Sequence, residues 1–210
     1  MAKPNQIVTE QFTTEEKIKA AAKAVFYKKG FAATRTRDIA EEAGINLALL
    51  NYYFRSKQKL FELIMLETLT AFIEKMVLLL NDERTTLDQK VREVVENYID
   101  VITAEPELPI FIITEIRSNP KLLLQKIPVK KIIRQSVFFK QHQKAVHEGR
   151  IQEPNPLHFL MNLIGMIVFP FMAKPLLMAG GGIEEKEFNE LMKERKKLIP
   201  MWIKAIMKAK

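Results

Sequence analysis

Residues 34–61 read TRTRDIAEEAGINLALLNYYFRSKQKLF, and they hold the side chains best suited to chemistry. Ile39, Ala40, Ala43, Ile45, Leu50 and Phe54 are the apolar positions that would fasten two short helices together. That leaves Leu47, Ala48, Leu49, Asn51, Tyr52 and Tyr53, with Asn46 at their head, to divide between the edge of a core and solvent. A helix showing leucine, alanine, asparagine and two tyrosines suits a DNA groove better than plain water. Apolar tips can touch thymine methyls, asparagine can pair with adenine through two hydrogen bonds, and tyrosine hydroxyls can reach phosphates. Arg37 on the preceding helix would reach a base edge or phosphate at the groove rim. Lys57 would meet a phosphate through its own charge and the N-terminal dipole of the next helix. The competing role for Tyr52 and Tyr53 is packing against the first helix.

These groups need elements to hold them. Ile18, Ala21, Ala22, Val25 and Phe26 recur at three- and four-residue spacing and predict an amphipathic helix. Thr13 and Glu16 form a capping box at its start, and Gly30 supplies a stop. A short helix is predicted over 36–43 and closed by Gly44, where a left-handed turn residue is needed. Asn46 then caps a second short helix that reaches about residue 54. Ser56 caps a long one extending to about residue 80.

Further helices are predicted over 86–104, 106–118, 128–148, 156–172 and 184–208, with Pro106, Pro128 and Pro156 each in a first turn. Gly149 marks an exit, Gly180, Gly181 and Gly182 form a joint, and Pro200 should kink the last helix. There is no alternating strand pattern and no internal repeat, so the class is all-α. The expected organisation is a tail over 1–12, a helix-turn-helix domain over 13–56 and a helical domain over 57–210.

Composition narrows the function. The 210 residues carry a formal charge of +8, and residues 1–60 hold eleven Lys and Arg against six Asp and Glu, which favours a polyanionic partner. With no Cys, disulfides, thiolate zinc sites and cysteine nucleophiles are excluded. The polar N-terminus lacks the apolar run of a secretory signal, and the expectation is a cytoplasmic protein. The stretch 157–173 is short for a membrane span and is broken by His158, Asn162 and Pro170, so a buried helix is expected. His142, His147 and His158 lack metal-ligand spacing, and neither metal nor cofactor is expected. No phosphate-binding loop, dinucleotide turn, metalloprotease helix or serine elbow supports an enzyme.

Over residues 14–74 the sequence resembles the TetR family of bacterial regulators. The matched positions are Lys29, Gly30 and Phe31, then Thr34, the run from Arg37 to Ala40, and Ala43, Gly44 and Ile45. Tyr53, Phe54, Ser56, Lys57, Leu60 and Phe61 complete them. The resemblance implies backbone or rim contacts for Thr36, Arg37 and Lys57, base reading by Leu47, Ala48 and Leu49, and a phosphate contact for Tyr53. Two departures stand out. Asn51 replaces the family's usual tyrosine, which leaves the phosphate contact there open and makes base reading by Asn51 the alternative. Arg35 replaces the usual Ser or Thr cap, leaving Thr34 or Thr36 to cap.

The resemblance further implies a homodimeric repressor on a palindromic double-stranded operator, released by a small and largely apolar effector. Pairing would use the last two long helices, with Met161, Gly165 and Met166 allowing close packing. Ten Met and thirteen Phe could line an effector cavity or fill a core. Asn97, Tyr98, Glu115, Arg117 and His142 are the polar candidates to orient an effector. The alternative is an architectural or cell-division-linked DNA binder that recruits a protein partner and has no effector.

Overall fold

The computed structural model describes residues 13–118, 120 and 134–208, so the predicted tail over 1–12 lies outside the described residues. Among the described residues there are ten helices and no strand. They fall into two compact units, one ending at Thr68 and the other beginning at Leu69.

The first unit is built on α1 (Thr14–Ala33), α2 (Thr36–Glu42), α3 (Leu47–Tyr53) and the opening turns of α4 (Lys57–Asn81). The predicted capping box is present: the Glu16 carboxylate accepts from the Thr13 N–H at 2.7 Å, and the Glu16 N–H donates to Thr13 Oγ1. The stripe Ile18, Ala21, Ala22, Val25 and Phe26 is buried, as are Ile39, Ala40, Leu50 and Leu60 from the other helices. Phe26 and Phe61 meet edge to face at 4.8 Å. Gly30 does break the helix, with φ 71°, but one further turn follows it before Thr34.

The second unit contains the rest of α4 with α5 (Leu87–Ala104), α6 (Leu108–Ser118), α7 (Val137–His147), α8 (Pro156–Met172), α9 (Lys174–Gly181) and α10 (Glu185–Lys208). Thr86 caps α5 through a second capping box with Gln89. Lys196 pairs with Asp100 and Lys204 with Asp88, so α5 and α10 run antiparallel. Val95, Ile99, Ile102, Phe159, Leu163, Phe188, Ile199 and Ile203 form the centre of the core.

Several boundaries differ from the sequence pattern. Pro106 sits in the turn before α6, and Pro109 occupies its first turn instead. Pro128 lies outside the described residues. The described helix there starts at Val137, where the Phe139 N–H donates to Ser136 Oγ. The glycine joint is largely an additional helix, α9, that the pattern missed. Gly180 and Gly181 are its last residues, and Gly182 is the left-handed cap at φ 62°. α10 runs on through Pro200.

The stretch 157–173 is not buried all round. Phe159, Leu163, Ile167 and Phe171 face the core, whereas Leu157, Met161, Ile164, Phe169 and Met172 are exposed. A single helix on the flank of one core can cover only one side, so an all-apolar helix there leaves its outer side open. No single described helix is long and apolar enough to cross a membrane. α8 and α9 pass together on length and composition, but they meet at a 65° bend.

Candidate nucleic-acid interface

The site is assembled around a tight turn. Gly44 adopts φ 66°, and the Ile45 N–H donates to Ala40 O at 3.0 Å, folding the chain back so that α3 packs on α2. Leu50, on the inner side of α3, is 1% exposed and fixes the helix rotation. Asn46 caps α3 by accepting from the Leu49 N–H at 2.8 Å, which uses its side-chain oxygen. The outer side then shows Ala48 and Asn51 to solvent, with Leu47 at 37%, Tyr52 at 79% and Tyr53 at 40% exposure, while Leu49 is half-buried. Neither tyrosine is buried against α1; their rings lie edge to face with each other at 5.4 Å. Asn51 has no side-chain hydrogen-bond partner among the described residues.

Charge sits on the adjoining helices α1 and α2. Arg37 is exposed and Thr36 half-buried at the start of α2. Lys29 meets Asp38 at 3.1 Å. The Arg35 N–H donates to the Asp38 carboxylate at 2.9 Å, and this bond, with Lys29 next, holds the Asp38 carboxyl below its ordinary range. Asp38 therefore caps α2 from inside, and neither Thr34 nor Thr36 takes the capping role expected of them. Thr34 is buried and donates its hydroxyl to Gly30 O at 2.7 Å.

Lys57 does something the sequence did not announce. Its ammonium donates to Phe31 O at 2.9 Å and Thr34 O at 2.8 Å, and it lies 4.2 Å from the centre of the Phe31 ring. The start of α4 is thereby tied to the segment that joins α1 to α2. One N–H of the ammonium is left for an outside acceptor. The break at Gly30 was the available clue, since a helix ending there leaves carbonyls that need a donor.

The candidate effector residues do not come together. Asn97 is exposed and donates to Glu93 O one turn back at 2.7 Å, and Arg117 is exposed. The Glu115 side chain lies outside the described residues. Tyr98 is buried edge-on against Phe72 at 4.6 Å; its hydroxyl lacks a partner among the described residues, and burial pushes its pKa up. His142 is buried against Phe159, with both ring nitrogens unpartnered among the described residues. Burial lowers its pKa, opposed by Glu153. Gln141 bonds Thr85 at the head of α5, whereas Tyr98 lies roughly 20 Å farther along that helix at 1.5 Å per residue. A cleft of about 410 Å³, lined by Glu153, Phe159, Asn162 and Ile206 among others, lies on the His142 side. Sequence reasoning also missed Lys90, which sits on the apolar stripe of α5 with its ammonium buried against Asp82 O, Thr85 O and Thr85 Oγ1. Its place between Leu87 and Val91 on one helical face was the signal.

Residues 18–64 match the family model described as bacterial regulatory proteins, tetR family. The chain is 24% identical to YttP of Bacillus subtilis, which bears the name probable HTH-type transcriptional regulator, over 76% of this chain and 78% of that one. It is 33% identical to the HTH-type transcriptional repressor NicS of Pseudomonas putida over 49% of this chain and 48% of that one. Among solved structures, the hemolysin II transcriptional regulator HlyIIR superposes with a TM-score of 0.61 at 20% identity, covering 94% of this chain and 98% of that one. The fatty acid degradation regulator FadR of Bacillus halodurans gives 0.58 at 18%, covering 90% and 96%. These two likenesses establish the shared all-α fold.

Proposed function

The chain belongs to the TetR family of bacterial regulatory proteins, and from that premise we propose that it is a homodimeric repressor released by a small, largely apolar effector. The observation that carries the DNA-reading half is the exposed outer side of α3, whose rotation is set by the buried Leu50, with the exposed Arg37 on the adjoining α2. Thr36, Arg37, Tyr53 and Lys57 would engage the backbone. Asn46, Leu47, Ala48, Leu49, Asn51 and Tyr52 would lie in the major groove. A two-fold dimer would present two such helices to half-sites about 34–36 Å apart, or a multiple of that spacing.

Dimerisation is supported by the open apolar sides of α8 and α10. Leu157, Met161, Ile164, Phe169, Leu191, Trp202 and Ile206 are all exposed on these two helices, and large apolar side chains left open in this number suit an interface. Four helices from two copies would cover it. Release would follow if an effector in the domain beyond residue 57 stabilised one setting of α4 over another; equal affinity for both settings would shift nothing. Tyr98 supports this half, because its buried hydroxyl lacks, among the described residues, the partner that an effector's polar atom would supply.

The test is selection from a random DNA library with the purified protein, read beside its mass in solution. A palindromic motif bound by a dimer supports the proposal. Salt-sensitive binding without a motif refutes it and favours an architectural DNA binder.

A further inference from the structure

The seven residues of α3, LALLNYY, include no charged side chain in a chain that carries +8 overall. A major groove presents guanine as two acceptors, N7 and O6, normally taken by the forked donors of Arg or by Lys. It presents cytosine as an N4 donor, normally taken by Asp or Glu. α3 offers none of these four residues. It offers hydrocarbon at Leu47 and Ala48, and one free amide at Asn51. The neighbouring amide of Asn46 is less suited to the adenine pairing, because its oxygen is turned toward the Leu49 N–H, from which it accepts at 2.8 Å. Adenine needs an acceptor for its N6–H and a donor for its N7 at once, and the Asn51 amide is the group on α3 that supplies both.

We infer that the base pairs lying under α3 in each half-site are A·T pairs, read by thymine methyl groups against Leu47 and Ala48 and by one adenine against Asn51. This rests on the DNA-binding reading above. Arg37 lies on α2, so a guanine at the flank of the half-site is compatible with it, and the inference concerns the pairs under α3 alone.

The experiment uses the full chain and the operator obtained by selection. Positions under α3 are identified as those whose preference changes in Asn51→Ala. Asn51→Ala and a second variant, Leu47→Ala, keep the fold accessible, because Leu47 and Asn51 are exposed and alanine is a strong helix former. Replacing single thymines by deoxyuridine removes one methyl each and should weaken wild-type binding about fourfold at the contacted positions. The same replacement should leave Leu47→Ala unaffected at the position Leu47 covers. Replacing one adenine by 7-deazaadenine removes the N7 acceptor and should cost the wild type about 2- to 13-fold and cost Asn51→Ala nothing.

A palindromic motif with G·C pairs under α3 would overturn the inference while leaving the regulator intact. A uniform affinity loss in Asn51→Ala, with no change of preference, would return Asn51 to the backbone and overturn it too. A selection that yields no motif would remove the DNA-reading proposal, and this inference with it.

Discussion

Replacing Lys57 by Met removes the ammonium and keeps most of the stem. Two bonds go, to Phe31 O at 2.9 Å and Thr34 O at 2.8 Å, together with a cation–π contact at 4.2 Å. Hydrogen bonds to a charged group contribute about 1.5–3 kcal/mol each when shielded. Lys57 is only half-buried, so water can replace part of that on the freed carbonyls, and the net loss should be about 2 kcal/mol for the first unit. Amide hydrogen exchange read on peptides spanning residues 31–60 should then quicken about 30-fold under conditions where exchange follows the opening equilibrium. Peptides from α5 and α10 should be unchanged. The charge is a separate quantity. One phosphate contact fewer per subunit lowers the slope of log affinity against log salt by about 0.9 for each subunit, about 1.8 for the proposed dimer. Unaltered exchange in residues 31–60 would refute the anchoring role, and an unaltered slope would refute the phosphate contact.

Met161→Glu, at 61% exposure on the outer side of α8, should give a folded monomer in sedimentation, because pairing would bury an unpartnered carboxylate; a persistent dimer would move the interface elsewhere. Lys90→Met strands the Asp82 and Thr85 oxygens and should cost about 3 kcal/mol, seen as a fall of about 10 °C in the melting temperature of the second unit; an unchanged melting temperature would contradict the buried network. Burial holds the His142 pKa below its ordinary value of 6.5, so the unfolded chain takes up a proton first. Stability should therefore fall as pH drops below about 6.5, by at most about 1.4 kcal/mol per pH unit, and His142→Leu should flatten that part of the curve. An identical pH profile in the variant would refute it.

Legibility in the sequence varied with the physics involved. α1, α3 and the Asn46 cap were readable because apolar spacing and capping chemistry act over three or four residues. The two-helix turn was readable from Gly44 and Ile45 for the same reason. The roles of Lys57 and Thr34 were not, since they answer carbonyls freed by a helix break at Gly30 that lies 27 residues from Lys57 in the chain. α9 escaped because three consecutive glycines read as a joint, although only Gly182 takes a left-handed backbone. The capping of α2 was misread because Asp38 works backward from inside the helix, so that an arginine at the cap position is tolerated. For Asn97, Tyr98 and His142, sequence offers residue types alone, whereas burial separates a solvent-facing amide from two buried side chains whose polar atoms lack partners among the described residues.

Trp202 lies on α10 at 39% exposure, with the Arg195 guanidinium 5.2 Å from the centre of its ring, and it is the one tryptophan in the chain. Its emission therefore reports on a single place, the outer side of α10 proposed to pair. On dilution, separating subunits would wet the indole and shift its fluorescence to longer wavelength, with a midpoint that follows total protein concentration. If the chain pairs as proposed, Trp202 would serve as an optical gauge of assembly, readable without label, and DNA added at fixed dilution would draw the emission back toward the blue.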